Sequence, residues 1–186
     1  MKSRSHLPQP RRFVTTHDSQ GVGIFSDALP EEVDFWAVGP PDKPASFGLG
    51  YATCTNPVRL TNDVDLIDIR SLNERPKEMP LVQRGGSLVR YVDYPPKSSS
   101  PMHRTVSCDY AITLIGNMEC RLDSGDSRVV RAGDVLVQRG TKHQWFNNSD
   151  SWARMLYVLL DATKVEVGGL SLGEDLGGMI GVRSGL

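Results

Sequence analysis

Three apolar or β-branched runs, Tyr110–Ile115, Met118–Leu122 and Val129–Val137, follow one another closely in the second half of the chain. They are punctuated by Gly116-Asn117, Ser124-Gly125-Asp126 and Ala132-Gly133-Asp134, a pattern that predicts consecutive hairpin strands. Gly86–Tyr94 alternates apolar and polar positions and leads into this region, and Trp152–Leu160 closes it as a further strand. In the first half, Phe13–Thr16 and Val22–Phe25 read as short strands flanking a turn at Asp18–Gly21, and Ser46–Cys54 as a longer one. Val64, Leu66, Ile67 and Ile69 predict another strand over Asp63–Ile69, followed by a charged loop over Ser71–Pro80. Glu31–Val38 is compatible with a strand or a helical turn, ended by Gly39-Pro40-Pro41. The pattern therefore predicts an all-β second half to which the first half adds strands.

This divides one domain into four stretches. Residues 1–12 form a polar, mobile arm, and 13–85 supply strands and loops that pack on the core. Residues 86–162 form the core itself, and 163–186 a Gly-rich C-terminal segment to which no element is assigned.

Side chains of a strand alternate sides with a period of two. An extended Met102–Asp109 therefore turns His103, Thr105 and Asp109 one way, and His143 and Trp145 form a second same-side pair. If both sides face inward in a closed antiparallel sheet, His103, Asp109 and His143 share one pocket. Arg104, Thr105, Gln138 and Trp145 are the neighbouring candidates for substrate contact. Bland alternatives stand beside them: Asp109 as a turn cap, Gln138 as a turn brace, Arg104 as an exposed residue, Trp145 as packing.

Composition narrows the function classes. The chain of 186 residues carries 23% charged residues and a net charge of -1, which points away from nucleic acid and from an anionic membrane as partners. No window is apolar enough for a membrane span, and the basic N-terminus lacks the apolar run of a secretory signal. Cys54, Cys108 and Cys120 are few, odd in number and without CxxC spacing, which points to reduced thiols in the cytoplasm. Cys108, opposite in parity to Asp109, is expected to be a small buried apolar group.

Two clusters resemble the paired motifs of the cupin superfamily. In the first, His103-Arg104-Thr105 is followed after three residues by Asp109 and after six more by Gly116. In the second, Gly133 to Asn147 contains Gln138-Arg139-Gly140-Thr141-Lys142-His143, a turn one residue shorter than the usual form, with Arg139 near the usual proline. The resemblance covers Gly86–Asp161 and implies a double-stranded β-helix, a jelly-roll barrel, with additional N-terminal strands. It is similar to small single-domain cupins of the kind seen in natural-product pathways.

The resemblance implies His103, Asp109 and His143 as ligands of a divalent iron, manganese or zinc ion, with Thr105 standing where the motif has its second histidine. The metal-free alternative uses the same residues as an acid–base set. Two function classes follow. One is an enzyme for a small organic acid or polyketide-like molecule, working by dehydration, decarboxylation or cyclisation, or by metal-dependent dioxygenation. The other is a cupin that binds a small ligand without turnover. A homodimer paired through sheet edges is the expected assembly.

Overall fold

A computed structural model of the chain describes residues 5–185. Its strands are β1 (Thr15–His17), β2 (Gly23–Phe25), β3 (Phe35–Val38), β4 (Ala45–Thr53), β5 (Ser87–Tyr94), β6 (Ser98–Ser99) and β7 (Ser107–Ile115). They continue with β8 (Asn117–Leu122), β9 (Ser127–Arg131), β10 (Val135–Arg139), β11 (His143–Asn147), β12 (Ala153–Asp161), β13 (Val165–Val167) and β14 (Leu170–Leu172). One α-helix is found among the described residues, α1 (Val64–Glu74), between β4 and β5. Two sheets form the core, one ordered β10-β7-β12-β5-β4-β3 and the other β6-β11-β8-β9. Their inner faces meet in one apolar cluster: Leu88, Val92, Met155, Tyr157 and Leu159 from the larger sheet against Met118, Cys120, Val130 and Trp145 from the smaller.

This is the cupin-like double-stranded β-helix the sequence predicts. The main ladders stay in two sheets, linked by the isolated Thr113–Ala132 bridge and by Thr113 Oγ1 donating to Val130 O at 3.0 Å. The expected run of consecutive hairpins is corrected. β7 pairs with β10 and β12, whereas β8 pairs with β9 and β11, so only β8–β9 is a hairpin. Between β7 and β8 the chain changes sheet in one residue. Gly116 makes that step with φ +79°, and a Cβ there would stand 3.1 Å from the Ala153 Cβ.

Asp63–Ile69 is not a strand. Val64–Glu74 is helical, and the first four residues of the expected Ser71–Pro80 loop belong to it. Leu66 and Ile69, three apart, are buried, whereas Ile67 is exposed. Tyr51 on β4 fastens the helix by donating its hydroxyl to Asp65 at 2.7 Å. Glu31–Val38 resolves into β3 at its end. Of the expected arm, residues 1–4 lie outside the described residues, and 8–12 are tied down. Val33 N donates to Pro10 O, Arg12 N to Glu31 O, and Arg12 Nη1 to Leu49 O. The N-terminal segment thereby lies against β4 and β12, where the Pro8 carbonyl accepts from Arg154 Nη1. Beneath it lies a bidentate ion pair between cross-strand partners. Arg154 Nε and Nη2 stand 2.6 and 2.7 Å from the two oxygens of Asp93, and both side chains are buried.

The Gly-rich C-terminal segment is ordered as a hairpin, β13–β14, followed by a strap. Arg104 and Asp175 exchange backbone hydrogen bonds, Gly39 N donates to Ile180 O, and Leu81 N donates to Arg183 O. Lys142 Nζ and Asp175 Oδ2 pair at 2.7 Å. Gly177, at φ +58°, lies where a Cβ would be 2.2 Å from Met102 O. Among the described residues no helix is long and apolar enough to cross a membrane.

Candidate active site

The inner faces of the two sheets enclose a cavity of about 420 Å³. Val92, Tyr94, Tyr157 and Leu159 line it from the larger sheet, and His143 and Trp145 from the smaller. Met179 and Ile180 of the strap stand at it too, with Gly39 and Pro40 from the loop after β3. Its size suits a small organic ligand.

His103 and His143 are brought together by backbone pairing. Each donates its N–H to the other's carbonyl at 2.8 Å, an antiparallel pair directly opposite one another. Such a pair projects both side chains to one face. The ring centroids are 4.2 Å apart. Each ring is also anchored to a carbonyl two residues earlier, His103 Nδ1 to Pro101 O at 2.9 Å and His143 Nδ1 to Thr141 O at 3.0 Å. A carbonyl only accepts, so both Nδ1 atoms carry the proton and both Nε2 atoms keep a lone pair. Burial lowers the proton affinity of both rings. For His143 burial and then the neighbouring His103 bring the value down to about 3.

Asp109 reaches the same cavity from β7. Burial pushes its carboxyl up to about 6, against hydrogen bonds from Ser107 and Thr105. Ser107 Oγ donates to Thr105 Oγ1 at 2.8 Å, and Oδ1 of Asp109 has no partner among the described residues. Thr105 lines the cavity beside it, and Trp145 lies edge-on to His143 with centroids 6.2 Å apart.

The structure separates the remaining candidates from the cavity. Arg104, out of phase with His103 and Thr105, turns to the strap and donates from Nε to Gly173 O at 2.7 Å. Gln138 is buried but braces its own turn, its amide donating to Thr141 O and Thr141 Oγ1. Neither lines the cavity. Cys108 is only half-buried.

The metal set that the resemblance implies is only partly assembled. Among the described residues no three His, Cys, Asp or Glu side chains converge closely enough to hold a metal ion. Asp109 Oδ2 accepts from Thr105, just before β7, at 3.5 Å, while its Oδ1 has no partner among the described residues.

A residue missed in the sequence is Arg90. It shares parity with Leu88, Val92 and Tyr94 in the alternating β5, and that parity faces the cavity. A charge at an inward position was the signal that could have found it.

A two-sheet jelly roll with paired inward histidines defines a cupin, and the chain belongs to that family. It is 36% identical to the cupin-domain-containing oxidoreductase virC of Hypocrea virens, over 88% of this chain and 81% of that protein. It is 42% identical to phomopsin biosynthesis cluster protein C' of Diaporthe leptostromiformis, over 92% of this chain and 89% of that one. Identity to oryzines biosynthesis cluster protein J of Aspergillus oryzae is 39%, over 92% and 93%. Among solved structures, the chain is similar to the polyketide cyclase RemF of Streptomyces resistomycificus. There the TM-score is 0.37 and the identity 24%, over 40% of this chain and 54% of that one. No family model matches the chain.

Proposed function

We propose that the protein is a cupin-type enzyme that moves a proton on a small organic acid or polyketide-like intermediate. The step is of the lyase or isomerase kind: dehydration, decarboxylation or cyclisation. One observation carries this reading: two buried neutral imidazoles present free Nε2 lone pairs to the cavity that the Asp109 carboxyl also lines. Either Nε2 can accept a proton from the ligand. The rings are too close for both to be charged, so one proton is held at a time. Asp109, raised to about 6, changes protonation state near neutral pH, and in its protonated form it donates its own proton from Oδ1 as an imidazole takes one from the ligand; proton transfer from imidazolium to carboxylate then resets the pair. The relatives named for biosynthesis clusters support a role in such a pathway.

The test is incubation with intermediates of the pathway encoded beside the gene, followed by mass spectrometry. An isomer, or loss of water or carbon dioxide, supports the reading. A second reading, an oxidative step, is favoured by the relatives named oxidoreductases. It requires gain of oxygen or loss of hydrogen in the same assay.

Dialysis against a chelator is expected to leave turnover and the melting temperature unchanged. Loss of turnover that iron(II), manganese or zinc restores would place a metal at the histidines. A homodimer belongs to the same proposal. β7 and β10 expose Tyr110, Leu114, Val135 and Val137 on one outer face at an edge of the larger sheet, and a partner would cover them. Sedimentation is expected to give the dimer mass, and Val137→Lys to shift it toward the monomer.

A further inference from the structure

Three buried side-chain polar atoms have no hydrogen-bond partner among the described residues: Arg90 Nε, Trp145 Nε1 and Asp109 Oδ1. All three residues line the one cavity. Buried polar groups are rarely left unpaired, and a cluster of them in a cavity marks where a ligand's polar atoms belong.

Arg90 is the most telling of the three. It is as buried as Arg154, but the two are provided for differently. Arg154 holds Asp93 through two charge-assisted hydrogen bonds. Arg90 takes part in none of the ion pairs among the described residues. Its Nη1 and Nη2 donate to the carbonyls of Leu81 and Pro80 at 3.1 and 3.0 Å, and its guanidinium lies 5.2 Å from the centre of the Phe47 ring. Two of its five N–H donors are thus accounted for, and Nε is not. Burial brings its proton affinity down to about 10, so it remains a cation at neutral pH. A buried cation beside a ligand cavity, with no anion of its own, is complementary to a ligand that brings one.

We infer that Arg90 anchors a carboxylate of the substrate. The inference rests on the cavity being a small-molecule site and names the ligand class: a monocarboxylic acid with an apolar body. Val92, Tyr94, Tyr157 and Leu159 receive the apolar part, and Trp145 Nε1 offers a further donor. One planar guanidinium matches one carboxylate. A phosphate monoester would bring a second charge to a site whose other lining cation, Lys43, already donates to Lys97 O.

The experiment compares 3-phenylpropanoate, 3-phenylpropanamide and 2-phenylethyl phosphate by calorimetry, with the His103 and His143 ring resonances as reporters of occupancy. The carboxylate is expected to bind about tenfold or more tighter than the amide, as charge-assisted hydrogen bonds to one group imply. Arg90→Met is expected to erase that preference, and Arg90→Lys to keep part of it. Arg90→Met also removes the bonds to Pro80 and Leu81, so its melting curve is recorded first. If it fails to fold, the ligand comparison on the native chain and on Arg90→Lys decides. Equal binding of acid and amide, with both histidine resonances shifted, overturns the anchor while the cavity reading stands. Tighter binding of the phosphate overturns the carboxylate class. If no ligand shifts either resonance, the cavity reading fails and the inference falls with it.

Discussion

Asp93→Ala is expected to destabilise the fold by about 3–5 kcal/mol, the usual consequence of removing one partner from a buried ion pair. The substitution strands the Arg154 guanidinium beneath the N-terminal segment, with only the Pro8 carbonyl and the Phe35 ring for company. A domain of this kind is stable by about 5–15 kcal/mol, so a large share is at stake. Urea unfolding followed by circular dichroism measures it, read from a lower midpoint at unchanged slope. The double change Asp93→Leu with Arg154→Met should recover most of the loss, because it removes both charges and keeps the volume. A loss under about 1 kcal/mol for Asp93→Ala, the range of exposed pairs, would mean that the guanidinium escapes to water.

His143→Gln is expected to lower turnover of the native substrate by about 10²–10⁴-fold, the usual contribution of a positioned acid–base group. The same variant has a signature in stability. His143 is held down to about 3 from an ordinary 6.5, so the fold favours its neutral form. Its contribution is present in full above pH 6.5 and is lost as the pH falls toward 3. His103, also lowered, acts in the same direction. Asp109 acts oppositely. Raised from 3.8 to about 6, its contribution is full below pH 3.8 and is lost as the pH rises through 6. The native chain should therefore lose stability between pH 6.5 and 3, and His143→Gln should lose distinctly less. Parallel curves would mean that the ring gains a proton without penalty and is not buried as described.

The strand pattern of the second half was legible because turns fall at Gly116, Gly125 and Gly133, where positive φ is needed. Which strands pair was not legible, because a jelly roll sends neighbours in sequence to different sheets. The helix was lost to an ambiguity: Val64, Leu66, Ile67 and Ile69 satisfy a short alternation as well as an i, i+3 spacing. Only the exposure of Ile67 separates the two. In the site, parity placed His103, Thr105, Asp109, His143 and Trp145 at one cavity, all from strands or extended segments. Parity also spoke for Arg90 and against Arg104. What it could not reveal is that Gln138, facing inward, spends its amide on Thr141, or that Asp109 accepts from Thr105, just before its strand.

Asp109, His143 and Arg90 sit on the sheets, whereas Gly178, Met179 and Ile180, which border the same cavity, come from the tail that crosses it. One side of the cavity is thus built by a length of polypeptide separable from the strands that carry its charged and titratable groups. Changes confined to that terminal stretch, on the order of a single long loop, would reshape the edge of the cavity while the strand residues keep their places.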